Sequence, residues 1–347
     1  MLKASFKKYV LSFHQPAITS RSVLIDKETY FIKIWDENKP ECYGLGECAV
    51  FRGLSSDDIP DYETKLKFVC NNINDITPID VQYSSIRFGL ETALNDLKNG
   101  GNRIIFTSSW TQGFNPIPIN GLIWMGNYDE MLTRIISKIE AGFNCIKLKI
   151  GGIEFNKELK LLKFLRSNFS DSDLQIRLDA NGAFSANDAL LYLEKLSKYK
   201  IHSIEQPIKQ GQWEEMAKLV KNSPISIALD EELIGINTIE DKKALLQTIS
   251  PHYIILKPSL CGGFSGSDEW IRLARKQNID WWATSALESN IGLNAIAQWV
   301  STYSIDKPQG LGTGLLYVNN IDSPIEQVDD IITYNIQKKW DIPHSIL

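Results

Sequence analysis

The feature that most constrains this chain is a rhythm. From about residue 116, short apolar runs recur as PIPIN (116–120), CIKLKI (145–150), QIRLDA (175–180) and HSIEQP (202–207). They continue as ISIALD (225–230), YIILKP (253–258), WWATSA (281–286) and GLGTG (310–314), each beginning roughly 23–30 residues after the last. Their length and β-branched content predict strands. Helical spacing fills the gaps. Met131, Leu132, Ile135, Ile136 and Ile139 form one stripe, and Leu159, Leu162, Phe164, Leu165 and Phe169 another. In 185–199, Ser185 is placed to cap a helix with Asp188 three residues on, and Leu190, Leu191, Leu193 and Leu196 supply its apolar side. Eight strands alternating with helices predict an α/β fold with a (β/α)8-type barrel over residues 116–315. GLGTG carries three glycines and is the weakest strand, accepted because it keeps the spacing.

Residues 1–115 break the rhythm. SFKKYVLSFH and SVLIDKETYFIKIWDE read as antiparallel strands, YGLGECAV as a glycine-rich strand end, and 61–73 and 83–99 as helices. They predict an α+β capping domain ahead of the barrel, with the tail 316–347 packing back on it. A net charge of −5 and a pI near 5.6 argue against nucleic acid as the main partner. No apolar run is long enough for a signal peptide or a membrane span. The five cysteines are odd in number and form no CxxC, so reduced thiols are expected. A cytoplasmic protein handling a small molecule fits these properties, with its oligomeric state open.

In such a barrel the active site lies at the C-terminal ends of the strands. The polar residues there are Lys147 and Lys149 on strand two, Arg177, Asp179 and Asn181 on strand three, and Glu205 on strand four. Asp230 lies on strand five, Lys257 on strand six, and Thr284 and Ser285 on strand seven, with Glu288 just beyond. Alternation puts Lys147 and Lys149 on one face, pointing into the barrel. Asp179, Glu205 and Asp230 are 26 and 25 residues apart, one barrel unit each. Strands are about 4.8 Å apart, so the three carboxylates must converge and repel. A hard divalent cation such as Mg2+ resolves that repulsion. Lys149 and Lys257 flank the trio. A carboxylate substrate held between them could lose its α-proton to one lysine, with the cation stabilising the resulting enediolate.

Taken singly, each residue has a structural explanation. Asp179 could cap a turn, Glu205 could be a loop acid, Lys257 could snorkel, and Lys147 and Arg177 could be internal ion-pair partners. Five charged residues at consecutive strand ends are costly to bury without a purpose.

The set KLK (147–149), LDAN (178–181), IEQP (204–207), LDE (229–231) and LKP (256–258) resembles the enolase superfamily, muconate-lactonising subgroup. IPINGLIWMG (117–126) and SALESNIG (285–292) look like the o-succinylbenzoate synthase family of menaquinone biosynthesis. The resemblance implies dehydration of 2-succinyl-6-hydroxy-2,4-cyclohexadiene-1-carboxylate to o-succinylbenzoate. It implies Mg2+, with Mn2+ as a substitute, on Asp179, Glu205 and Asp230. Lys149 would take the α-proton and return it to the departing hydroxyl, and Lys257 would stabilise the anion from the other face. Lys147 would hold the substrate carboxylate and tune Lys149, with Arg177 and Asn181 in support. Ser285 would meet the succinyl chain, and Arg21, in TSRS, would close over the substrate. The alternative is an N-acylamino acid racemase or dipeptide epimerase of the same superfamily. Dipeptide epimerases of this subgroup usually carry Asp-x-Asp at strand eight, where this chain reads GLGTGLL with no acid.

Overall fold

Three long antiparallel strands open the chain: β1 (Leu2–Ile18), β2 (Val23–Asp36) and β3 (Lys39–Cys48), ordered β1-β2-β3. The computed structural model describes residues 1–18 and 23–347. Arg21 lies outside the described residues. Alternation along β2 divides the labour. Tyr30, Ile32 and Ile34 face α1 (Tyr62–Asn71) and α2 (Ser84–Lys98), making a core with Leu66, Val69, Ile86, Leu90 and Ala93. Phe31 on the opposite face packs with Leu45, Ile291, Ile321 and Ile346, which come from the barrel side and the tail. The glycines of YGLGECAV serve packing. A Cβ on Gly44 would lie 1.8 Å from the Ala93 carbonyl oxygen and one on Gly46 1.9 Å from that of Gly89, so α2 can rest directly on β3 only with glycine there.

Next come β4 (Ile117–Pro118) and β5 (Gly121–Ile123). The strands β6 (Cys145–Lys149), β7 (Gln175–Asp179), β8 (Ser203–Glu205), β9 (Ser226–Leu229), β10 (Tyr253–Leu256) and β11 (Asp280–Ala283) follow. Between them run α3 (Tyr128–Glu140), α4 (Phe155–Asn168), α5 (Ala186–Ser197), α6 (Trp213–Asn222), α7 (Ile239–Ile249) and α8 (Gly263–Arg275). The sequence α9 (Asn290–Val300), β12 (Ile325–Val328) and β13 (Ile331–Tyr334) completes the set. β5 to β11 form one parallel sheet in chain order. Ile146, Leu148 and Ile150 point outward into the core shared with the helices. Ser185 caps α5 as expected, its Oγ accepting from Asp188 N–H at 3.2 Å. Of the stripe on α3, Ile136 is 38% exposed and stands off the buried face.

The barrel departs from the sequence expectation at its seam. The first stave is Gly121–Ile123, not 116–120. Ile117 and Pro118 pair antiparallel with β13 instead, in a small sheet ordered β12-β13-β4. The eighth stave is reduced to parallel bridges at Ile119–Gln309 and Thr284–Gly310. Gln309 N–H donates to Pro118 O and Gly310 N–H to Ala283 O, both at 2.8 Å, which closes the ring. A Cβ on Gly310 would meet Thr284 Oγ1 at 2.5 Å, so this closure needs glycine. The tail returns to the cap: Val318 N–H donates to Ser12 O, and Tyr9 Oη to Asn319 O, each at 2.9 Å.

Candidate active site

Strand register builds the site. Lys149 lies opposite Asp179, and Asp179 opposite Glu205, so three functional groups stand in one row on neighbouring staves. Glu205 pairs with Ala228, and Asp230, two residues further, continues on the same side just past β9. Carboxylate oxygens of Asp179, Glu205 and Asp230 all lie within 4.8 Å of one another, and all three residues are buried. Lys147, one row below, reaches up to Glu205 Oε2 at 2.6 Å and Asp179 Oδ2 at 3.0 Å. Lys149 Nζ lies 2.6 Å from Asp179 Oδ2 and donates to Asn181 Oδ1 at 2.9 Å. Across the mouth, Lys257 Nζ lies 2.6 Å from Asp230 Oδ2.

Burial pushes Lys149 below the ordinary lysine range against the pull of Asp179, and the ammoniums of Lys147 and Lys257 push the same way. Burial would also lower Lys147, but Asp179, Glu205 and Asp230 outweigh it and hold Lys147 above its ordinary value. Lys257 is likewise raised, because Asp230 and Glu231 outweigh burial. Burial would raise Asp179, yet Lys147, Lys149 and Lys257 hold it below the usual carboxylate range. Glu205 goes the other way. Burial lifts it to about 7 despite Lys147, and the charges of Asp179 and Asp230 add to the lift. Two lysines in one pocket are thus driven apart, Lys149 towards the neutral amine and Lys257 towards the cation.

The trio fits a divalent cation. Three carboxylates converge, Glu205 is pushed towards protonation by burial and then by the charges of the other two, and its Oε1 is buried without a hydrogen-bond partner among the described residues. An all-oxygen donor set of this charge suits Mg2+ or Mn2+.

Side chains from the neighbouring loops hold the trio: Gln206, which the sequence reading did not single out, and Asn181, which it did. Gln206 sits at φ +38°, in the left-handed region, a strain on the order of 1 kcal/mol that its surroundings impose. Its side-chain oxygen accepts from Asp230 and Glu232 N–H, both at 3.2 Å, and its amide donates to Glu232 Oε2 at 2.9 Å. Asn181, at φ +46°, donates to Glu231 Oε1 at 2.8 Å while accepting from Lys149. Of the consecutive acids Asp230, Glu231 and Glu232, only Asp230 joins the carboxylate trio. Their adjacency in sequence hides that division.

Above the charges lies a cavity of about 700 Å3, open mouth included. Lys147, Lys149, Asn181 and Lys257 form its polar floor. Asn120, Leu122 and Trp124 project from the β5 stave at alternate positions, and Leu24, Phe51 and Leu54 reach over from the cap. Thr284, Ser285, Ala286 and Leu287 close the far side with Thr313. Ser285 lines the cavity, and its hydroxyl donates to Glu288. Arg177 does not line it. Its guanidinium lies below, 4.2 Å from the Trp282 ring and donating to Pro308 O at 2.8 Å.

Glu158 of α4 secures the loop after Lys149, accepting from Gly151 N–H at 2.6 Å. Burial lifts it to about 7, above its ordinary value near 4.5. The folded state therefore binds the extra proton between those pH values. Its stability falls as pH rises from about 4.5 to 7, by on the order of 2 to 3 kcal/mol from this group. Glu158→Gln is expected to remove that slope. The melting temperature of the variant relative to the parent should rise between pH 5 and pH 7.5, and parallel pH curves would refute the assignment.

Residues 130–328 match the family described as Enolase C-terminal domain-like. An o-succinylbenzoate synthase from Desulfotalea psychrophila is 44% identical, covering 93% of this chain and 96% of the relative. The crystal structure of MenC from that organism superposes with a TM-score of 0.85 at 39% identity, over 96% of this chain and 99% of the other. A dipeptide epimerase from Enterococcus faecalis, complexed with Mg and L-Leu-L-Tyr, gives a TM-score of 0.83 at 16% identity, over 96% of each chain, a likeness of fold. The chain belongs to the enolase superfamily, in the o-succinylbenzoate synthase family of carbon–oxygen lyases.

Proposed function

We propose that this protein dehydrates 2-succinyl-6-hydroxy-2,4-cyclohexadiene-1-carboxylate to o-succinylbenzoate. The observation that carries this is the pairing of Lys149 and Lys257 in one pocket, beside a converging carboxylate trio and beneath a largely apolar wall. Asp179, Glu205 and Asp230 would hold Mg2+, or Mn2+ in its place. When bound, the dication supplies positive charge against the charge that grows on the substrate carboxylate as its α-proton leaves.

Lys149, whose pKa burial and its cationic neighbours lower, takes the proton from the ring carbon bearing the carboxylate. The adjacent carbon then loses its hydroxyl, to which the Lys149 ammonium returns the proton. One C–H and one C–O bond break, one C=C bond forms, water leaves, and the ring becomes aromatic with no oxidant required. Lys257 stays protonated through Asp230 and Glu231 and faces the developing anion with its charge. Asn181 fixes the Lys149 amine, and Lys147 balances the acids beneath. Leu122, Trp124, Phe51 and Leu54 exclude water from the ring. The five free thiols fit a cytoplasmic setting for this chemistry.

The test is turnover of the cyclohexadiene by purified protein with Mg2+, followed as ultraviolet absorbance of the aromatic product. Appearance of o-succinylbenzoate without deuterium wash-in at the α-carbon of remaining substrate in D2O is the expected result. A folded, Mg2+-loaded protein that makes no product, but exchanges the α-proton of N-acylamino acids, would replace dehydration with racemisation.

A further inference from the structure

Between the cap and the barrel mouth lies a group of charges with no part in the chemistry above. Glu288, in the loop between β11 and α9, is 0% exposed. Its two carboxylate oxygens accept from two hydroxyls, each at 2.5 Å: Ser259 Oγ, two residues past Lys257, and Ser285 Oγ, on the cavity wall. Ser285 Oγ itself accepts from Leu287 N–H at 3.0 Å, which fixes its direction. One carboxylate therefore ties the loop after β10 to the loop after β11.

The cap answers from the other side. Lys27, on the barrel-facing side of β2, is 6% exposed, and its Nζ makes no hydrogen bond among the described residues. Burial lowers its pKa, and the charges of Glu47 and Glu288 oppose that. Glu47, on β3, is also 0% exposed. It accepts from Thr29 Oγ1 at 2.8 Å on its own sheet. It also reaches into the barrel, accepting from Ser289 N–H at 3.0 Å, Ser289 Oγ at 2.6 Å and Gly292 N–H at 3.0 Å. Buried charge groups of this kind are poor stabilisers, since well-packed apolar residues commonly do as well or better. What this one does offer is fixed geometry, because every carboxylate oxygen is aimed at a named donor, and Glu288 and Glu47 each reach a donor on another segment.

We propose that Glu288 is a positioning residue that holds the Lys257 loop and the Ser285 wall at one spacing, and that Lys27 and Glu47 register this pair of loops to the cap. The proposal rests on the dehydratase role of Lys257 given above. Loosening the Ser259 tether lets Lys257 drift from the developing charge, which affects kcat. Loosening Ser285 alters the fit of the substrate, which affects KM.

The test compares Ser259→Ala, Glu288→Gln, their double variant and the charge-balanced pair Lys27→Met with Glu47→Gln. The readouts are kcat, KM and amide hydrogen exchange over residues 257–263 and 284–292. Ser259→Ala is expected to lower kcat roughly 10-fold with KM changed by less than about twofold, and to quicken exchange over 257–263. Glu288→Gln should quicken both loops, lower kcat and raise KM. The double variant should be no worse than Glu288→Gln alone, since one tether is being cut twice. The Lys27 and Glu47 pair should quicken both loops together. Unchanged kcat and exchange in Ser259→Ala, or effects that simply add, would overturn the proposal. Ser259→Ala removes a single hydroxyl and keeps the test alive if Glu288→Gln does not fold. Parent protein that makes no aromatic product overturns the dehydratase role alone. Quicker exchange over 257–263 in Ser259→Ala, and over both loops in Glu288→Gln, would then still support the positioning role.

Discussion

Lys149→Ala is expected to lower kcat for dehydration by roughly 10,000-fold while the protein still folds and binds Mn2+. The size follows from two proton transfers assigned to one amine, removal from carbon and delivery to the departing hydroxyl. Nothing else in the pocket is set to replace it. Lys147 is engaged with Glu205 and Asp179, and Lys257 is held as a cation by Asp230 and Glu231. Lys149→Arg separates base from charge. A guanidinium keeps the positive charge near Asp179 but cannot shed its proton, so this variant should be nearly as inactive as alanine. Lys257→Arg, by contrast, should retain a measurable fraction of activity if Lys257 acts through its charge. Aromatic product measured under single-turnover conditions distinguishes the cases. Lys149→Arg within tenfold of the parent would remove Lys149 as the base, and equal losses at both positions for arginine would assign proton transfer to both lysines.

The site was more legible than the wall around it, for a physical reason. Parallel staves repeat at nearly constant spacing and side chains alternate, so charged residues at successive strand ends must share one rim. Asp179, Glu205 and Asp230 could therefore be placed together from position alone, and the register bears this out. The seam was less legible. Ile117 and Pro118 have the composition of a stave, yet they pair with β13, more than two hundred residues away, which no local pattern announces. Gln309 and Gly310 close the ring with backbone bonds alone, so no hydrophobic alternation marks them. Arg177 has the right position but the wrong height. It lies a row below Asp179, level with Lys147, and packs on Trp282 beneath the cavity. Some supporting contacts were hidden because their partners come from different loops: Gln206 serves Asp230, and Glu47 serves Ser289 across 242 residues. Such pairs follow from the fold and cannot be counted off along the chain.

Asp179→Asn is expected to weaken Mg2+ and Mn2+ binding by at least about 100-fold and to lower kcat by roughly 1,000-fold or more. Asp179 is the acid on which the site turns. One oxygen lies 2.6 Å from Lys149 and 3.0 Å from Lys147, and the carboxylate belongs to the converging trio. Asparagine is nearly isosteric but carries no charge, so two buried ammoniums would then share Glu205 and more distant acids. Breaking a buried pair in this way costs about 3–5 kcal/mol, so the variant should also melt lower than the parent. The change in melting temperature on adding metal isolates the metal's part from that structural loss. A site that binds Mg2+ in the folded state alone gains about 2.7 kcal/mol when the ion is present at 100 times its dissociation constant. The parent should therefore show a clear rise in melting temperature with Mg2+, reversed by EDTA, and Asp179→Asn should show little. Glu205→Gln gives the complementary case. It removes the group already lifted towards protonation, so it should cost less stability than Asp179→Asn while impairing metal binding as severely. An Asp179→Asn protein that responds to Mg2+ as the parent does would mean that the ion is held without Asp179, whose carboxylate would then serve the two lysines alone.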